Sequence, residues 1–290
     1  MADKSNCEGA STCSRSSCEG CPSAQQNTSA KPFMLDANPY SKIGHVIGVV
    51  SGKGGVGKSM VTASLANAMA ALGFRTGILD ADVTGPSIPK MYGLTGNAQA
   101  DENGILPRIT DNDIKIMSLN LLMPDPSQAV VWRGPVIAGV IKQFWTDVIW
   151  GELDYLFVDM PPGTGDVPLT VFQSLPVDGI FIVTSPQDLV QLIVKKALNM
   201  AQLMDIPVLG LIENYSYFVC PDCGKKIALF GESKAQESAQ EAGLMMAGTI
   251  PVEPSIAKMA DEGAFAKAEN PYLEEAVKIL RTMPSGMQPN

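Results

Sequence analysis

Beyond residue 40 the chain alternates short runs that are apolar at consecutive positions with longer stretches of amphipathic character. The runs at 45–50 (HVIGVV), 76–79 (TGIL), 155–158 (YLFV), 180–184 (IFIVT) and 208–212 (VLGLI) leave no polar face. That is the pattern of parallel strands covered on both sides. The stretches 59–72, 136–150, 189–204, 255–261 and 272–283 read as helices. Strand–helix alternation of this kind predicts an α/β fold, a doubly wound and mostly parallel sheet flanked by helices on both faces.

The first 32 residues contain no Ile, Val, Leu, Phe, Tyr or Trp. Such a segment cannot bury enough apolar surface to offset its ordering entropy, so it is expected to be a tail that only a ligand would organise. Residues 31–42, with Pro32 and Pro39, read as a linker. The expected division is therefore a tail and linker over 1–39, a folded domain over 40–284 and a flexible end over 285–290.

Gly52-Lys53-Gly54-Gly55-Val56-Gly57-Lys58-Ser59 follows the first strand and opens the first helix, the context in which G-x-x-x-x-G-K-[ST] forms a phosphate loop. Glycines let the backbone adopt positive φ and turn a row of N–H groups toward the phosphates. The helix N-terminus adds partial positive charge, Lys58 can reach the terminal phosphates, and the Ser59 hydroxyl can ligate magnesium. Asp159 ends one strand and Asp80 and Asp82 follow another, at the carboxyl ends where open α/β sheets bind ligands. Asp159 is expected to hold magnesium, directly or through water, and a carboxylate at 80 or 82 to position or deprotonate the water that attacks the γ-phosphate.

Composition narrows the partners. The 290 residues carry 21 Lys+Arg against 30 Asp+Glu, a formal charge of -9. An anionic surface has no general attraction for nucleic acid. No window approaches the roughly 18–20 apolar residues of a membrane helix, and the opening sequence is polar, so a cytoplasmic protein without nucleic-acid or membrane partners is expected. The six cysteines are clustered, with Cys7, Cys13, Cys18 and Cys21 in the tail and Cys220 and Cys223 as a downstream Cys-x-x-Cys. In a reducing compartment such clusters hold metal or exchange electrons more often than they cross-link a core.

Cys220-Pro-Asp-Cys223-Gly-Lys-Lys has the look of half a zinc ribbon. Two thiolates do not close a four-ligand site, but two copies related by a two-fold axis near this loop would supply four. Tetrahedral sulfur suits zinc or an iron–sulfur cluster equally, and a redox disulfide is a third option. Four thiolates in the tail can likewise wrap a cluster or zinc, or remain simple thiols.

Lys53 marks the loop as unusual: Lys-Gly-Gly-x-Gly-Lys-Ser resembles the deviant Walker A loop of the MinD/ParA/nitrogenase-iron-protein superfamily of P-loop NTPases. The stretches 80–89 (DADVTGPSIP), 132–135 (WRGP), 150–166 (WGELDYLFVDMPPGTGD), Glu213-Asn214 and 220–224 (CPDCG) further resemble the Mrp/ApbC family of iron–sulfur cluster carrier ATPases over about residues 42–283. That resemblance implies a homodimeric ATPase that holds a labile cluster and passes it to apo iron–sulfur proteins. It implies that Lys53 is the signature lysine reaching across the dimer, that Gly54 to Ser59 cradle the phosphates, that Asp82 is the acid nearest the attacking water, and that Asp159 is linked to magnesium, with Asp80 sharing one of these two roles. It further assigns adenine contact to Asn214, with Pro251 and Glu253 as a second base contact, and a bridging [4Fe-4S] cluster, in preference to zinc, to Cys220 and Cys223. Cys18-Glu-Gly-Cys21-Pro resembles part of a ferredoxin-like motif in the longer branch of that family, while the outer two cysteines depart from its arrangement.

Other residues read as structure. His45, the single histidine, opens the first strand as a strand-edge polar residue; Phe144, Trp145 and Trp150 read as packing or dimer surface; most of the fifteen methionines read as core filler. Arg133 is expected at an interface. The main rivals to a cluster carrier are a MinD/ParA-like positioning switch without metal and a zinc-stapled regulatory ATPase. The first would carry a basic amphipathic C-terminal helix, whereas 281–290 (RTMPSGMQPN) is neither amphipathic nor strongly cationic.

Overall fold

The structure is a computed structural model that describes residues 34–82, 85, 87–123, 134–163, 165–186 and 190–284. The tail cysteines, Arg133 and the stretch 285–290 lie outside the described residues. In chain order the sheet and its helices are β1 (Lys42–Ser51), α1 (Lys58–Ala71), β2 (Thr76–Asp80), α2 (Ile88–Met91), the hairpin β3 (Gln99–Asp101) and β4 (Gly104–Leu106), β5 (Arg108–Ile109), β6 (Lys115–Ser118), α3 (Gly134–Thr146), β7 (Glu152–Asp159), α4 (Asp166–Ser174), β8 (Gly179–Thr184), α5 (Val190–Leu203) and β9 (Val208–Glu213). There follow the small hairpin β10 (Phe218–Val219) and β11 (Lys226–Ile227), then α6 (Ala235–Glu241), β12 (Met246–Thr249), α7 (Pro254–Asp261) and α8 (Glu274–Arg281).

Eight strands form one sheet in the order β12-β9-β8-β1-β7-β2-β6-β5. Its pairs are parallel except β5 against β6. The expected doubly wound sheet is therefore present. Connections run from β1 toward β2 on one side and toward β8 and β9 on the other, so the chain reverses its winding beside β1, and a crevice opens at the strands' carboxyl ends.

Two apolar layers hold the helices to the sheet. On one face α1 and α8 bury Val61, Leu65, Met69 and Leu280 against Ile47, Val49 and Phe157. On the other, Ile141, Phe144 and Trp145 of α3, Phe172 of α4 and Val194 of α5 pack on Val50, Leu156 and Ile182. Full burial of each such side chain contributes about 1.5–3 kcal/mol. Trp145 and Trp150 are both buried and so belong to the core.

Two differences from the sequence reading have simple causes. Strand β1 begins at Lys42, so His45 lies within it, paired with Tyr155 of β7 ahead of the stretch that also pairs β8, and it is buried; it stacks on Tyr155 with ring centroids 5.2 Å apart, its Nδ1 3.6 Å from Asp178. Residues 35–38, read as linker, are docked: Leu35 N–H donates to Ser174 O, Asn38 N–H to Trp145 O, and the Trp145 indole donates back to Leu35 O at 2.8 Å. These polar backbone groups are satisfied by the tertiary structure, a pairing that composition does not reveal. Among the described residues no helix is long and apolar enough to cross a membrane.

Candidate nucleotide site and thiol hairpin

Strand β1 ends at Ser51 and α1 begins at Lys58, leaving the glycine-rich loop across the end of the central strand. Gly55 and Gly57 have φ of 77° and 75°, the left-handed region that the loop's turn demands. At Gly57 a second reason applies: an added Cβ would lie 2.2 Å from Asn214 Nδ2 and 2.9 Å from the Tyr215 hydroxyl. Ser51 steadies the loop by donating its hydroxyl to Lys53 O, while its own carbonyl accepts from Gly163 N–H at 2.7 Å.

The acids converge on the loop through sheet register. Asp80 and Asp159 pair as opposite residues at the ends of β2 and β7. Asp159 is fully buried and accepts from Lys58 Nζ at 2.7 Å and from the Ser59 hydroxyl at 2.5 Å. The Thr62 hydroxyl lies 2.8 Å from the same carboxylate and 3.0 Å from Lys58 O, with one proton to place between them. Asp82 Oδ2 stands 3.7 Å from Lys58 Nζ. Asp80, held by the Ser118 hydroxyl and Asp82 N–H, is pushed well above the usual carboxylate range, first by burial and then by the charge of Asp159. Burial also lowers the Lys53 ammonium.

Beside them lies a cleft of about 410 Å³ lined by residues 53–59 of the phosphate loop, Asp82, Pro162, Tyr215 and, from α7, Ala257 and Ala260. It therefore brings the expected loop residues together with Asp82 in one cleft, and Asp80 and Asp159 behind it. Ser59 and Asp159 present oxygens in hydrogen-bond contact at the start of α1, with Asp80 paired in register beside Asp159, and oxygen donors are the set a hard divalent cation such as magnesium requires.

Asn214 follows β9 and is buried beside the loop, donating from Nδ2 to Val56 O at 2.9 Å and accepting the N–H of Tyr215. Its amide thus engages the loop backbone in this structure. Pro251 is buried, and half-buried Glu253 precedes α7 as its N-cap residue and accepts from the Ser255 hydroxyl. Sequence reasoning missed Thr62 and Tyr215. Thr62 had a signal, standing one helical turn after Lys58 and hence on the same face. Tyr215, with φ of 59°, had none.

Six residues beyond Asn214 stands Cys220. The β10–β11 hairpin carries the two thiols, Cys220 half-buried and Cys223 exposed. Gly224 N–H donates to Cys220 O, and Cys220 N–H to Lys225 O, which turns the chain into a knuckle. Hydrogen bonds from the backbone N–H of Cys223, then of Asp222, and from the Cys223 thiol hold the Cys220 thiol below its usual value. The two backbone N–H donors also suit a metal-bound thiolate. Among the described residues no group of three or more His, Cys, Asp or Glu side chains is placed to hold a metal ion, so the two thiols form at most half of a tetrahedral site. Around them Val219, Ile227, Leu229 and Phe230 are exposed.

The chain is 45% identical over 253 residues to the iron-sulfur cluster carrier protein of Methanocaldococcus jannaschii, covering 85% of this chain and 87% of that one. It is 49% identical over 252 residues to the protein of the same name from Saccharolobus solfataricus, covering 84% and 85%. A nucleotide-binding protein from Archaeoglobus fulgidus, solved in complex with ADP and with cobalt found in it, superposes with a TM-score of 0.72 at 44% identity, covering 80% of this chain and 91% of that one. The model of the ParA family, described as NUBPL iron-transfer P-loop NTPase, matches residues 42–285, and the chain belongs to that family.

Proposed function

We infer that the protein is an ATP-driven iron–sulfur cluster carrier: a homodimer that binds and hydrolyses ATP in the phosphate-loop cleft, holds a [4Fe-4S] cluster as cargo on Cys220 and Cys223 of both copies, and delivers it to apo-proteins. The observation that carries this reading is the joining, within six residues, of a side chain engaged on the phosphate loop, Asn214, to a thiol knuckle that supplies half of a four-sulfur site. The names of the relatives and the ADP of the Archaeoglobus protein support it.

At the nucleotide, the loop N–H groups and the α1 N-terminus would bind the phosphate oxygens, and Lys58 would move from Asp159 toward the terminal phosphate charge. Asp82, beside Lys58, would orient the attacking water and accept its proton. Lys53 would meet the nucleotide of the second copy, and Asn214, with Pro251 and Glu253, would face the base. Ser59, Asp159 and Asp80 would hold magnesium, which when bound neutralises phosphate charge. Four sulfurs from two copies make cluster retention depend on the position of one copy relative to the other, and nucleotide gripped by both would bias that position.

The test is anaerobic reconstitution followed by iron, sulfide and zinc quantification per chain, for wild type and for Cys220→Ala/Cys223→Ala. The expected result is brown wild-type protein whose bridging iron and sulfide are lost in the double variant. Colourless protein with stoichiometric zinc would replace the carrier by a zinc-stapled ATPase. In the same variants the tail cysteines Cys7, Cys13, Cys18 and Cys21 account for any iron that remains.

A further inference from the structure

The segment bearing the thiols is an excursion from the sheet that leaves and returns at adjacent residues. It leaves after Glu213, whose successor Asn214 holds the phosphate loop, and is steadied on the way out by Ser216, whose N–H and hydroxyl both donate to Ile250 O. It returns at Ser233, whose hydroxyl donates to Glu213 Oε1 at 2.5 Å and accepts Ala235 N–H at 3.1 Å, at the start of α6. Glu213 itself is buried, paired in register with Thr184 of β8 and Thr249 of β12, so this foot stands on the interior of the sheet. Ser233, by contrast, is exposed and lines neither the cleft nor the thiol knuckle.

We propose that the Ser233–Glu213 hydrogen bond is the positioning contact that makes the thiol hairpin follow the phosphate loop. With both ends of the excursion fixed at adjacent residues, Glu213 at the end of β9 and Asn214 just beyond it, a displacement of Asn214 by the loop carries the whole of 215–232 with it. Without that bond the return end is held only from Ala235 onward, where α6 is buried in the core, so the segment gains conformational freedom and the hairpin follows Asn214 less closely. The role rests on the proposed function above in one respect, that nucleotide occupies the cleft. It does not require that the thiols be loaded with a cluster.

The experiment uses metal-free full-length protein and follows iodoacetamide alkylation of Cys220 and Cys223 by peptide mass mapping, with and without saturating Mg-ATP. In wild type the two conditions should differ by about fivefold or more in rate, the size of an ordinary coupling between sites. In Ser233→Ala that ratio should fall to near unity while Mg-ATP affinity stays unchanged, and Ser233→Thr, which keeps a hydroxyl, should restore it. A merely structural serine would alter both conditions alike and leave the ratio intact. A wild-type ratio preserved in Ser233→Ala overturns the role of this contact, and a wild-type ratio of one overturns the coupling. Failure of the carrier reading is seen separately, as wild-type protein that takes up no iron.

Discussion

Asp80 and Asp159 face each other across paired parallel strands, both buried, yet only Asp159 is met by the ammonium of Lys58 at hydrogen-bond distance. Two carboxylates so placed cannot both ionise without cost, and in the metal-free protein the burden falls on Asp80. The pairing therefore favours a proton on Asp80 while Asp159 keeps its charge against Lys58.

The sign of the resulting pH dependence follows from the raised value. A carboxyl that binds its proton more tightly folded than unfolded lowers stability as pH climbs above its unfolded value of about 4. Asp80→Asn, whose amide can still accept from Asp82 N–H and donate to a turned Ser118 hydroxyl, should therefore raise the melting temperature of metal-free protein at pH 8. A gain of 1 kcal/mol corresponds to about 2–4 °C in a domain of this size. The gain should shrink toward pH 4; an equal gain at both ends of the scan would contradict the assignment.

Lys58→Ala is expected to abolish ATP hydrolysis and to destabilise the fold even without nucleotide. Its removal leaves Asp159 buried with hydroxyl partners alone. Breaking a buried pair in this way costs about 3–5 kcal/mol. Urea denaturation of the apo-protein measures it, and a midpoint equal to wild type would show that the pair carries no such weight.

At Gly57 even one methyl group is too much. Its Cβ would meet the Asn214 amide at 2.2 Å on a backbone of positive φ. Gly57→Ala should weaken nucleotide binding by an order of magnitude or more, about 1.4 kcal/mol per tenfold. Pairing it with Asn214→Ala should recover part of the lost stability by removing the closer clash, while the φ penalty and the contact with the Tyr215 hydroxyl at 2.9 Å stay. Calorimetric titration and thermal melts of the two variants distinguish the contributions.

Trp145→Phe keeps the core aromatic but deletes the indole donor to Leu35 O. The loss should cost about 0.5–1.5 kcal/mol. Hydrogen exchange should accelerate at the Leu35 and Asn38 amides before any change in the β-sheet; uniform acceleration would place the loss in the core instead.

The central strands were legible in the sequence because burial on both faces leaves a run of consecutive apolar residues in the middle of β1, β7, β8 and β9, with polar residues confined mainly to their ends, a signal that needs no tertiary knowledge. The phosphate loop was legible because its chemistry is contiguous. What escaped the reading lacks such local cause. β12, Met246–Thr249, is a strand of mostly small residues; β6 is four residues with polar ends; and α4 carries Pro168 in its first turn and begins at Asp166, at the end of the Gly- and Pro-rich stretch that closes the 150–166 motif. The reach of Lys58 to Asp159 spans 101 positions, and that of Ser233 to Glu213 spans 20, so each is fixed by sheet order and not by spacing.

The thiol hairpin contributes no strand to the eight-stranded sheet and begins and ends at neighbouring points of it. It is therefore a detachable module: a short turn grafted in place of 217–232 would leave the scaffold's strand order untouched. One nucleotide engine could in this way be fitted with different attachments through evolution, exchanging what it carries without redesigning what drives it.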